Sequence, residues 1–120
     1  MRLFASADRA VGTYTRDFAP PTWAKGVRLD VAYTAEGGAG STLDFKIQYR
    51  NGAKDAWADL TGGSLVQFTG VADNDLTVYP GLTAVANRLV TQVPLPRQLR
   101  AVATVGTTSV TFAVEADFLA

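Results

Sequence analysis

Eleven carboxylates carry whatever acid–base or metal chemistry this sequence can do, because histidine and cysteine are both absent. Their densest group is Asp73-Asn74-Asp75, with Asp55 and Asp59 upstream, and oxygen ligands of this kind suit a hard cation such as calcium. The spacing departs from the Asp-x-Asp-x-Asp-Gly calcium loop, however. Asx residues gather at turns because their side chains bond the local backbone, so the triplet reads as a turn. Nothing near Glu36 or Glu115 suggests a raised carboxyl pKa, and 120 residues leave little room for a deep glycosidase cleft. The missing histidine removes Ser-His-Asp and Cys-His arrangements and the common transition-metal sites. The missing cysteine removes disulfides, thiolate nucleophiles and most structural zinc. The expectation is a chain that is no enzyme and needs no cofactor or metal.

Binding chemistry rests on the aromatics. Trp57, with Leu60, follows Tyr49-Arg50-Asn51-Gly52, a pattern superficially like the hairpins of discoidin-like carbohydrate-binding sandwiches, where an aromatic presents its face to a sugar. A tryptophan early in a strand is more often a core or rim residue, since burying it stabilises a sheet face by roughly 2–3 kcal/mol. Sugar binding is the minority reading. Phe4, Tyr14, Phe18 and Trp23 lie in or beside an irregular N-terminal stretch and are the candidate partner-binding residues.

The elements that must position these groups are strands. In Leu43-Asp44-Phe45-Lys46-Ile47-Gln48-Tyr49-Arg50 every odd residue is large and apolar and every even one polar, so one wall is buried and the other wet. The same period returns in Val27, Leu29, Val31 and Tyr33 and again in Val110, Phe112, Val114 and Ala116. Further strands are predicted at Trp57–Leu60, Leu65–Thr69, Leu76–Tyr79 and Gln98–Val105. Turns are predicted at Asn51-Gly52, Thr61-Gly62-Gly63-Ser64, Asp73-Asn74-Asp75, Pro80-Gly81 and Gly106-Thr107-Thr108. The strand from Gly26 is expected to pair with Leu43–Arg50 across the Glu36–Ser41 loop, and the last two strands to form a hairpin. Between Leu82 and Val93 helical and strand spacings overlap, and a loop or helical turn near Thr83–Asn87 followed by a strand is the reading adopted. Turns at such short, regular intervals predict an all-β, antiparallel sandwich or jelly-roll-like single domain spanning residues 26–120.

Residues 1–25 read differently, as an extended N-terminal arm with one short strand near Gly12–Phe18. Pro20-Pro21 closes it, since neither proline can donate to a ladder. Its apolar residues either fold back onto the sandwich or dock on a neighbouring chain, where an added strand would cover an exposed edge.

Composition excludes several partners. Eleven basic and eleven acidic residues are interspersed and cancel, so no field favours a nucleic-acid backbone or an anionic membrane. No apolar run approaches the roughly 18 residues of a membrane span, and the first residues lack the apolar core of a signal peptide, so the product is expected to be soluble when made.

Read in order, Leu76-Thr77-Val78-Tyr79-Pro80-Gly81-Leu82-Thr83, Asn87, Leu95-Pro96-Arg97, Arg100-Ala101-Val102 and Ser109-Val110-Thr111-Phe112-Ala113-Val114 give the chain a set of spaced pieces. The Ala5-Ser6-Ala7 and Thr13-Tyr14-Thr15 stretches, Gly26–Val31 and Leu43–Tyr49 complete it. This ordered set resembles a family of small structural proteins encoded by tailed bacteriophages. The resemblance implies a virion component, a capsid decoration or cement protein that meets the major capsid protein and its own copies, as a homotrimer, on the head surface. It would be made in the host bacterial cytoplasm. A tail or head-fibre component is the neighbouring alternative. Trp57 stands where the family leads one to expect tyrosine, and Ala86-Asn87-Arg88 is more charged than expected.

Overall fold

In the computed structural model, which describes residues 1–90 and 94–120, nine strands form two sheets. In chain order they are β1 (Arg2–Arg9), β2 (Gly12–Phe18), β3 (Gly26–Glu36), β4 (Thr42–Asn51), β5 (Ala56–Ser64), β6 (Ala72–Val78), β7 (Leu89–Val90), β8 (Leu99–Gly106) and β9 (Val110–Leu119). The five-stranded sheet runs β1-β9-β3-β6-β7 and the four-stranded sheet β2-β8-β4-β5. All pairings are antiparallel except β6 with β7. The fold is all-β and sandwich-like, as expected. No helix occurs among the described residues, and none there is long and apolar enough to cross a membrane.

The alternating stretches do what their period requires. Val27, Leu29, Val31 and Tyr33 of β3 and Val110, Phe112, Val114 and Ala116 of β9 are buried on one sheet. They face Leu43, Phe45 and Ile47 of β4 and Leu99, Ala101, Ala103 and Val105 of β8 on the other. Tyr33 stacks on Phe68 with ring centroids 6.2 Å apart.

Pairing differs from expectation in two places. The β3 and β4 strands are not neighbours: the chain crosses between sheets through residues 37–41, and β4 lies between β8 and β5. The β8 and β9 strands likewise lie in different sheets, joined across the gap by Thr107, Thr108 and Ser109, with Thr107 at a φ of 74°. Both crossings meet at one end of the sandwich and lock together. There the buried Ser41 hydroxyl donates to the Gly38 carbonyl at 2.9 Å and shares a hydrogen bond with Thr108, while Gly37 N–H donates to the Ser109 carbonyl at 2.8 Å. Gly37 is required here, because a Cβ would lie 2.9 Å from that same carbonyl oxygen.

Three local expectations also change. Thr61-Gly62-Gly63-Ser64 stays within β5, where the register against β4 shifts and Gly62 takes a φ of 78°, so the glycines build a bulge. Asp73-Asn74-Asp75 lies inside β6, paired in order with Ala32, Val31 and Asp30 of β3. Leu65–Thr69 makes no strand; Phe68 forms a lone bridge to Leu43. Near Thr83–Asn87 the loop alternative holds, a tight reversal closed by reciprocal Val85–Leu89 backbone bonds with Asn87 at a φ of 59°. Of the strand expected after it, Leu89–Val90 is present, and Thr91 and Val93 lie outside the described residues.

Residues 1–25 fold back onto the sandwich, one of the two alternatives for them, and form no separate arm: β2 is the strand expected near Gly12–Phe18, and β1 and β2 are edge strands of the two sheets, pairing with β9 and β8 respectively. Leu3, Phe4 and Phe18 are core residues. The reason is apolar area, since the inner sides of β8 and β9 need cover at their flanks, and three large side chains supply it.

Candidate functional site

Chemistry-bearing side chains lie on the outer faces of the two sheets. On the four-stranded sheet, Asp17 accepts from Arg100 at 2.7 Å and Asp59 accepts from Gln48 at 2.9 Å. Lys46 also bonds Asp59, at 3.2 Å, and Gln67 bonds Asp44. The Gln48 amide, and then Lys46, hold the Asp59 carboxyl below the usual carboxylate range. On the five-stranded sheet Glu115, Asp30 and Asp75 fall in one row across β9, β3 and β6, where like charges side by side would repel. Arginines relieve this: Arg2 pairs with Glu115 at 2.8 Å, Arg28 with Asp30 at 3.1 Å and Arg88 with Asp75 at 2.9 Å. Asp55 is the ion-pair partner of Arg50. Among the described residues no group of three or more acidic side chains is placed to hold a metal ion.

The candidate partner-binding residues divide sharply. Phe4 is buried, its ring edge-on to Phe112 with centroids 5.6 Å apart. Tyr14 is half-buried against the core, 6.3 Å from Phe112, and its hydroxyl donates to the Ala10 carbonyl at 2.7 Å. Phe18 is buried beside Phe118. Only Trp23, 58% exposed on the connection between β2 and β3, faces solvent. Arg97 fastens that connection by donating to the Pro21 and Ala24 carbonyls, both at 3.1 Å. The four aromatics therefore form no common patch.

Trp57 is more informative than its sequence position suggested. It is half-buried on β5, with the Arg100 guanidinium 4.2 Å from its ring centroid and that of Arg50 at 5.8 Å. Beside it opens a shallow depression of about 350 Å³ lined by Asp17, Phe18, Ala19, Trp57, Gln98 and Leu99. An indole, a carboxylate and a primary amide around one hollow can stack on and hydrogen-bond a polar ring. Alternation along β5 marks Trp57 as outward-facing, but Arg100 reaches it from two strands away, which no local pattern reveals.

The sheet edges were also hidden in the sequence. Register shifts interrupt β1 between Arg2 and Phe4 and between Phe4 and Ala7. Along it Arg9 donates to the Ala5 carbonyl at 2.7 Å, to Ala7 at 3.2 Å and to Phe112 at 2.9 Å, with its guanidinium 4.4 Å from the Phe112 ring centroid. At the opposite flank β5 is bulged and β7 has two residues among those described. By contrast β2 pairs with β8 over seven residues in unbroken register.

No family model matches this chain, and no curated protein matches it either.

Proposed function

We propose that this protein is a structural virion component of a tailed bacteriophage, a jelly-roll decoration protein that binds the major capsid protein on the head surface and stabilises the shell as a multimer. One observation carries the reading. Apart from short β7, the sheets run β1-β9-β3-β6 and β2-β8-β4-β5, and the chain alternates between them from β1 to β4. That order supports the reading as a jelly roll, an architecture of viral capsid and lectin domains. Many charges on its outer faces are paired with one another, which suits lateral contact better than enclosure of a small substrate.

The mechanism is additive. Each copy buries a modest interface, attachment at many equivalent sites raises the total avidity, and whatever binds the assembled shell in preference to its separated parts stabilises it. Trp23 is the aromatic best exposed for such a contact. Mixed with expanded, empty heads, the protein should co-sediment with them, and Trp23→Ala should release it. Copurification with tails and no binding to heads would move the protein to the tail or a fibre.

A carbohydrate-binding role is the second reading, favoured by the hollow beside Trp57. Signal on a glycan array that disappears in Trp57→Ala would support it over attachment to heads.

A further inference from the structure

We propose that β2 is the seat of a two-fold contact between two copies of this chain, the strands pairing antiparallel about Thr15 to join two four-stranded sheets into one. Edge strands are normally blunted by bulges, brevity, proline or charge, because a row of unpaired N–H and C=O groups templates further pairing. Three of the four edges here follow that rule: β1 is bulged twice and its carbonyls are taken by Arg9, β5 carries the Gly62 bulge, and β7 has two residues among those described. The β2 edge is the least blunted. Its seven residues contain no proline and no register shift, its charges are confined to Arg16 and Asp17, and among the described residues no strand pairs with its outer side.

The side chains select the occupant. Residues opposite each other in an antiparallel pair share a face, so a two-fold axis normal to the sheet must pass through one residue. With the axis at Thr15, Thr13 lies opposite the Asp17 position of the second copy, Thr15 opposite Thr15, Tyr14 opposite Arg16 and Gly12 opposite Phe18. A hydroxyl meets a carboxylate, two threonines meet across the axis, and a guanidinium meets an aromatic ring. All seven residues find partners. Centring on Arg16 would set two guanidinium groups against each other, and centring on Tyr14 would leave Asp17 and Phe18 unpaired. Arg16 sits at an inward-facing position with its side chain exposed, so a foreign strand bringing an aliphatic or basic residue opposite it is rejected. The edge is thus closed to strands in general and open to itself.

This inference stands apart from the virion reading. A two-fold contact closes on a pair, so in a shell built from trimers it links one trimer to the next and does not form the trimer.

Sedimentation equilibrium on the full chain tests it, since the wild-type protein should form a dimer. Thr15→Glu, which sets two carboxylates against each other across the axis, should weaken association by about tenfold or more while leaving the circular dichroism spectrum of the folded chain unchanged. The chain has no cysteine, so oxidised Thr15→Cys should give a covalent dimer cleanly: residues opposite in an antiparallel pair lie about 4.5–5.5 Å apart at Cα, within disulfide reach. A monomeric wild type, an oligomer indifferent to Thr15→Glu, or cross-linking through Thr13→Cys but not Thr15→Cys would each overturn it.

Discussion

Strands β1 and β2 are consecutive in the chain and flank the two sheets through the same short N-terminal segment, yet they hold their edges in opposite ways. The β1 strand gives up regular pairing: two bulges tuck both Leu3 and Phe4 into the core, and Arg9 folds back to satisfy the carbonyls the bulges leave free. The β2 strand keeps a continuous ladder and spends only Phe18, and part of Tyr14, on the core. Irregularity therefore serves as insulation, and regularity leaves a surface on which another strand can act.

The severest test of this contrast removes both strands. Deleting residues 1–18 uncovers the flanks of β9 and β8 and takes Leu3, Phe4 and Phe18 from the core, so cooperative thermal unfolding should disappear. A truncated chain that stays soluble and melts cooperatively would make the segment a dispensable arm after all. Next comes Phe4→Ala, which should cost about 3 kcal/mol in denaturant unfolding, whereas Thr15→Ala on the exposed edge should change stability by under about 0.5 kcal/mol. Equal losses at the two sites would erase the distinction between insulated and open edge.

Arg9→Ala probes the insulation itself. It strips donors from three carbonyls and a cation from above Phe112, so about 2 kcal/mol should be lost and concentration-dependent aggregation should appear. Arg9→Lys should recover little, because one ammonium cannot reproduce the fork. A smaller effect, of about 1 kcal/mol, is expected from Tyr33→Phe, away from both edges, whose hydroxyl donates to the Ser41 carbonyl at 3.2 Å. Burial, with a contribution from Glu36, raises the Tyr33 pKa above its ordinary value. The folded state thus keeps a proton the unfolded chain loses, and stability present below the unfolded tyrosine pKa falls as pH rises toward the folded one. Alkaline titration of unfolding should show this limb in the wild type and not in Tyr33→Phe. The smallest change belongs to Asp59→Asn on β5. The carboxyl's lowered pKa contributes stability above the unfolded carboxylate pKa that is lost as pH falls through the folded one; exposure and screening keep it to a few tenths of a kcal/mol.

The sequence made the faces legible and left the neighbours dark. Alternation in Leu43–Arg50 reports which side chains are buried, a property of one strand, and in β4 Leu43, Phe45 and Ile47 are buried while Tyr49, at the end, is half-buried. Which strand lies alongside depends on whether a loop turns back or crosses the sandwich. The Glu36–Ser41 and Gly106–Ser109 links have turn chemistry suited to either. Glycines misled for the same reason, since Gly62 at positive φ serves a bulge as well as a turn. In β1 two adjacent buried residues, Leu3 and Phe4, cancel the period of two, so a true strand looked like irregular chain. At the candidate site Trp57 was visible as an aromatic, but its guanidinium neighbour and the hollow beside it come from strands distant in sequence.

The pairing of β1 with β9 has a consequence for how the chain acquires its structure. Arg2 and Glu115 are 113 residues apart, and β9 is the interior strand between β1 and β3. Until β9 has left the ribosome, β1 has no ladder to join and the flank of β3 stays bare, so the five-stranded sheet cannot form before β9 is made. Contacts this remote in sequence make folding slow, and Leu3 and Phe4 wait in the open meanwhile. Slower synthesis at low temperature should therefore raise the yield of soluble protein more than any change to its surface.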